Sequence, residues 1–211
     1  MKNSLKSIAV SLAVFVSTGS MFAAAPMIAS AAGTPITISS AKAQVGNTVT
    51  VDGVVTRLIQ SSASSTNNDT VYIQDTTAGI GVYLANTFTS STYAAGTELE
   101  VTGQVQNYLG MFEIVPASAG DVVNEGTAAV PAAQPVTAAH LGDTAYQGEL
   151  VQVQGAVLSA IGTSSNHTIL QGNVSATLRD SATLTLPASF GVDETVDTTG
   201  IAGVYNGAPE L

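Results

Sequence analysis

The chain carries an internal repeat, and that repeat constrains its fold more than any other feature. Gly96-Thr97-Glu98-Leu99-Glu100-Val101-Thr102-Gly103 is matched by Asp193-Glu194-Thr195-Val196-Asp197-Thr198-Thr199-Gly200. Each motif is followed by a tyrosine (Tyr108, Tyr205), then a glycine (Gly110, Gly207), then Glu113-Ile114 or Glu210-Leu211, all at one constant offset of 97. Upstream, Gly46-x-x-Val49-x-Val51-x-Gly53 is matched by Gly148-x-x-Val151-x-Val153-x-Gly155 at an offset of 102, and Gln74 corresponds to Gln171. A period near 100 residues is too long for a solenoid repeat, whose units run about 20–50 residues. It is the length of a small domain, so the chain reads as two copies of one domain.

Within the first copy the residues alternate as strands do. Val49, Val51, Val54-Val55 and Leu58-Ile59 make a long strand, with a bulge or bend expected at Gly53. A polar loop is expected over Ser61–Asn68. Thr70–Asp75 and Ile80–Leu84 form a hairpin around Thr76-Thr77-Ala78-Gly79. Asn86–Ala95 is a connection with room for a short helix. Glu98–Tyr108 is a long strand, Asn107–Gly110 a turn, and Met111–Val115 the closing strand. The second copy is expected to run from Glu149, with a loop at Thr163–His167, hairpin strands at Thr168–Gln171 and Ala176–Asp180, and a fourth strand over Glu194–Tyr205. Its last strand is expected to be incomplete at Leu211. Five strands in this order, with an optional helix after the third, suit an all-β OB-like barrel, so two consecutive five-stranded barrels are expected. The expected layout is a first domain over 32–123, a linker over 124–135 rich in Ala, Gly, Pro and Thr, and a second domain over 136–211.

The N-terminus sets the compartment. Lys2 and Lys6 precede the apolar run Ile8–Val16, and Ala29-Ser30-Ala31 has the small-x-small pattern read by signal peptidase. A signal peptide over 1–31 is therefore expected, with a secreted, extracellular mature chain and no membrane association after cleavage. Such a chain retains Lys42, Arg57 and Arg179 against fifteen acids. Phosphate neutralisation dominates nucleic-acid affinity, so this balance argues against tight electrostatic binding. The absence of cysteine excludes disulfides, thiolate metal sites and cysteine nucleophiles.

Val51-Asp52-Gly53-Val54-Val55-Thr56, Val71-Tyr72-Ile73-Gln74-Asp75, Gly79-Ile80 and Val101-Thr102-Gly103-x-Val105-x-x-Tyr108-x-Gly110 resemble the OB-like domains that precede the catalytic part of secreted bacterial nucleases and phosphoesterases. The resemblance covers both copies and is clearer in the first. It implies a binding module whose chemistry belongs to a separate downstream catalytic domain.

No catalytic centre is legible in the residues themselves. His140 and His167 have no His-x-x-x-His spacing and are expected as exposed loop residues. Asn67-Asn68-Asp69 lacks the glycine and distal glutamate of a calcium loop. No metal, no cofactor and no enzymatic activity are expected. Strand parity turns Ile73, Ile80 and Val82 inward and Tyr72, Gln74 and Tyr83 outward. Two tyrosines and an amide on one sheet face make a stacking platform, approached by Arg57 from the first strand. A contact between domains or an ordinary cross-strand pair is the competing use of the same face. Tyr108, at the turn bordering that face, is a further stacking candidate or a turn-packing residue. The expected function is a non-catalytic module directed at single-stranded nucleic acid. The alternative is an extracellular structural or protein-interaction module.

Overall fold

A computed structural model describes residues 33–59, 68–85, 93–162, 165–180 and 185–211. The expected signal peptide, most of the first polar loop and most of the connection after the third strand lie outside the described residues.

Alternating β-branched residues build the first unit from β1 (Thr48–Ile59), β2 (Asp69–Gln74), β3 (Gly79–Leu84), β4 (Thr97–Tyr108) and β5 (Met111–Val115). The order is β1-β2-β3-β5-β4, and β4 returns to pair with β1, closing a five-stranded barrel. β3 and β5 are parallel; the other neighbours are antiparallel. Closure depends on the length of β1. Its first half pairs with β4 and its second half with β2, and Val54 belongs to both ladders. The register shift falls between Val55 and Arg57 rather than at Gly53. Gly53 serves close packing instead: a Cβ there would lie 3.1 Å from the Cβ of Ile73. The interior is filled by Val51, Val55, Ile73, Ile80, Val82 and Leu99, all fully buried.

A short helix, α1 (Ile38–Lys42), plugs one end of this barrel with Ile38 and Ala41. Asp75 ties it to the β2–β3 turn. Its Oδ2 accepts the Ile38 N–H at 2.9 Å, while its Oδ1 accepts the Thr77 and Ala78 N–H groups at 2.7 and 2.9 Å. One carboxylate thus caps the helix and closes the turn.

Strand structure enters both ends of the segment expected as a linker. β6 (Val122–Thr127) pairs with the first half of β4, and β7 (Gln134–Val136) runs parallel to β8 (Leu150–Ala160). Residues 128–133 run between them. The second unit continues with β9 (Asn166–Gln171), β10 (Val174–Arg179), β11 (Thr195–Ile201), β12 (Gly203–Tyr205) and β13 (Ala208–Glu210). Its sheet order is β11-β8-β9-β10-β13-β12. The expected fourth strand is split at Ala202, which is fully buried and exchanges hydrogen bonds with Gly148 and Glu149. Both end strands of the sheet therefore belong to one chain run. The sheet curls into a half-barrel around Leu141, Val153, Leu158 and Ile169. The closing strand β13 has three residues and pairs on both sides, with β10 and with β12. The protein is thus all-β, with two OB-like units.

His167 departs from expectation. It lies in β9 opposite Leu178, is 6% exposed, and its Nε2 lies 3.1 Å from Asp180 Oδ2. The expected loop ends sooner because Asn166 already pairs with Arg179.

Candidate functional site

The register of the first barrel places a row of side chains on one outer face. Arg57 on β1 stands opposite Tyr72 on β2, Tyr72 opposite Gly81 on β3, and Gly81 opposite Glu113 on β5. Tyr83, two residues beyond Gly81, shares this face, as does Gln74, two beyond Tyr72. Gly81 leaves the surface low: a Cβ there would sit 3.4 Å from Tyr72 Cε1. Tyr72, Gln74, Tyr83 and Arg57 are all intermediate in exposure, with the Tyr72 hydroxyl buried towards Glu113 and the second unit's Glu210, whereas Tyr108 is 60% exposed. The Tyr83 hydroxyl is pushed up first by partial burial and then by Glu113 and Tyr108, which places all three groups in one neighbourhood.

The turn that presents Tyr108 is strained in a specific way. Leu109 and Gly110 both have positive φ, 52° and 102°; at the matching turn Asn206 and Gly207 have 50° and 81°. Asparagine tolerates this conformation, and leucine does so at a cost of order 1 kcal/mol. Leu109 is nonetheless 39% exposed. The first unit therefore holds an apolar side chain next to Tyr108 at the tip of a hairpin where turn chemistry favours asparagine.

The second unit meets this face at its Asp75 end. Gln74 Oε1 accepts the Leu150 N–H at 3.0 Å, so Gln74 is engaged between the units. The repeat explains why it is free to be. In the second unit Gly172 occupies the place of Asp75, and Gln171 takes over the capping, accepting the Ala138 N–H at 2.8 Å. In the first unit Asp75 does that work and Gln74 reaches outward. Gly79 and Gly148 touch backbone to backbone; a Cβ on Gly148 would lie 2.7 Å from the Gly79 carbonyl oxygen. Farther along, the Val204 N–H points to Met111 Sδ at 3.1 Å.

Lys42 completes the seam. Its Nζ donates to the Gln147 carbonyl at 2.7 Å and to the Thr144 carbonyl at 3.4 Å. Burial pulls its ammonium down to about 8, against the opposing pull of Glu149 and Asp75. The unfolded chain, with the ordinary value of 10.5, binds more protons between these two values. Stability should therefore rise as pH climbs from about 8 towards 10. Denaturant midpoints across this range should increase for the wild type and lose most of that increase in Lys42→Met. A parallel rise in both would assign the effect elsewhere. The window stops near 10 because Tyr72, pushed up to about 12 by burial, then by Glu210 and Glu113, acts in the opposite direction above its unfolded value.

Acids gather on another part of the wall. Asp52 stands opposite Glu100, and desolvation together with Asp52, Glu100 and Glu98 pushes the Glu125 carboxyl up. That region repels phosphate. Among the described residues no group of three or more His, Asp or Glu is placed to hold a metal ion. The structure also brings to the tyrosine face a residue the sequence did not single out. Arg179, at the end of β10, lies 5.5 Å over the Tyr205 ring and 3.8 Å from Glu210. Its only sequence signal is rarity, since the chain has two arginines.

No family model matches the chain. It is 30% identical over 129 residues to the endonuclease YhcR of Bacillus subtilis (strain 168), a stretch covering 59% of this chain and 10% of that protein. The chain thus matches only about a tenth of the length of this relative. Among solved structures, asparaginyl-tRNA synthetase from Pyrococcus horikoshii overlaps with a TM-score of 0.36 at 14% identity, covering 45% of this chain and 23% of that one. The Ifi202 HINa domain in complex with 20-bp dsDNA overlaps at 0.37 and 12%, covering 64% and 74%. At such scores neither overlap specifies a fold or a ligand; what the comparisons give is partial similarity to an endonuclease over 59% of this chain.

Proposed function

We propose that this chain is a secreted, non-catalytic binding module, the accessory region of an extracellular nuclease or phosphoesterase, and that it holds a single nucleic-acid strand for a catalytic domain elsewhere. The observation that carries this reading is the face on which Tyr72, Tyr83 and Arg57 stand together, bordered by Tyr108. Aromatic rings offer stacking to any unpaired base, and bases in a duplex are not available for it. The partial similarity to an endonuclease supports the same ligand class.

Stacking has to supply most of the energy, because cations are few. Single strands release about 0.7 counterion per phosphate contact, so two arginine contacts give a log–log salt slope of about −1.4. Anisotropy titration of a labelled oligothymidylate should show binding at low salt with this shallow slope. A slope several times steeper would mean that the tyrosine face is not the contact surface. No binding at low salt would remove the nucleic-acid ligand and favour the protein-interaction alternative.

A further inference from the structure

Charge is scarce in this chain, so the position of each cation is informative. Of the three basic residues after position 31, Lys42 is committed to the seam through two carbonyl oxygens. The other two come from different units: Arg57 is paired across strands with Tyr72, and the charge of Arg179 is felt at the Tyr72 hydroxyl. Arg57 is the cross-strand partner of Tyr72, placed there by the register shift that follows Val55. Arg179 arrives from the second unit. Its guanidinium lies over Tyr205, and Tyr205 belongs to β12, the strand that touches the first unit's β4–β5 turn. Val204 makes that contact through its N–H to Met111 Sδ, and a Cβ on Gly110 would lie 3.1 Å from Val204 Cγ1. The electrostatics agree: after burial, Glu210 and Glu113 push the Tyr72 hydroxyl up, and Arg179 pulls it down.

We infer that Arg57 and Arg179, one from each unit, act on the same ligand, gripping phosphates of one nucleic-acid strand whose bases stack on Tyr72 and Tyr83 in the first unit and on Tyr205 in the second. This rests on the nucleic-acid reading above and adds that the binding surface is composite. Neither unit alone holds both guanidinium groups. Arg179 is well placed to grip a phosphate, because its cation–π contact with Tyr205 holds the guanidinium in place without using its N–H donors. Glu210 competes for those donors at 3.8 Å. The ligand therefore has to displace a carboxylate, and removing that carboxylate has a signed consequence.

The test uses the full chain and a labelled oligothymidylate. Arg179→Gln should weaken binding about tenfold, the value of one charge-assisted contact, and make the salt slope shallower by about 0.7. Glu210→Gln should tighten binding, because it frees Arg179 and removes a negative charge. A merely structural Arg179–Glu210 pair would make both substitutions weaken binding through loss of fold, which thermal melts of each variant would reveal. If the wild type binds and Arg179→Gln keeps its affinity and slope, the composite surface is wrong while the nucleic-acid reading stands. Tightening absent in a well-folded Glu210→Gln would also overturn it. If the wild type does not bind, the nucleic-acid reading falls and takes this inference with it.

Discussion

Tyr72→Ala combined with Tyr83→Ala should reduce affinity for single-stranded DNA by roughly thirtyfold to more than ten-thousandfold, since each base–aromatic stack is worth about 1–3 kcal/mol. The two rings are on one face because Tyr72 pairs with Gly81 and Tyr83 lies two residues along the same strand. Their neighbours in sequence, Ile73 and Val82, fill the barrel interior and are untouched by the double change. The barrel should therefore keep its fold, and circular dichroism should match the wild type. The salt slope should stay near the wild-type value, because neither tyrosine contacts phosphate. That combination, a large loss of affinity at constant slope, separates stacking from charge. Unchanged affinity would move the contact to the Tyr108–Leu109 tip. A collapse of slope together with affinity would mean that the face had come apart.

Much of the first unit was legible because its signals are local. Period-two alternation placed Ile73, Ile80 and Val82 inside, and the same parity placed Tyr72, Gln74 and Tyr83 on the other face. The repeat also made the second unit legible, down to its tyrosine-bearing turn. Features that depend on a partner distant in sequence were not. His167 looks like a loop residue until Asn166–Arg179 pairing draws it into β9. Arg179 looks like a strand-end charge until β12 is folded against Met111. The parallel pairing that opens each unit, a single bridge in the first and β7 in the second, does leave a trace, Pro35-Ile36-Thr37 against Pro135-Val136-Thr137, but at an offset of 100, different from the other two. Ile36 bridges Val51 and Val136 pairs with Val153, the same place in each unit. The drifting offset reflects insertions between elements, which hide a repeat from any single spacing. Gln74 carries the clearest lesson. Its matching place in the two copies suggests one shared role, yet the change from Asp75 to Gly172 gives Gln171 a cap to make within its own unit and leaves Gln74 for Leu150.

The packing of the two units rests on two glycines, and Gly79→Val should separate them. A side chain at Gly79 would overlap the Gly148 carbonyl and lie 2.7 Å from the Glu149 nitrogen, all of it backbone that cannot rotate away. Overpacking of this kind typically costs about 1–3 kcal/mol. Here the strain has an outlet that a core residue lacks. The units can part, giving up the Gln74–Leu150 and Lys42–Gln147 hydrogen bonds while each keeps its own core. Small-angle scattering should then show a larger radius of gyration with strand content unchanged. Lys42, released from Gln147, should return towards its ordinary value of 10.5, and the rise of stability between about pH 8 and 10 should be lost. Affinity for a single strand should fall as in Arg179→Gln, since the two arginines would no longer share one surface. Gly120→Val is the control, because the nearest atom to a Cβ there is Ser118 Oγ at 3.7 Å, far from the seam. An unchanged radius in Gly79→Val, with the rise of stability between about pH 8 and 10 intact, would show that the two glycines do not set how the units sit together.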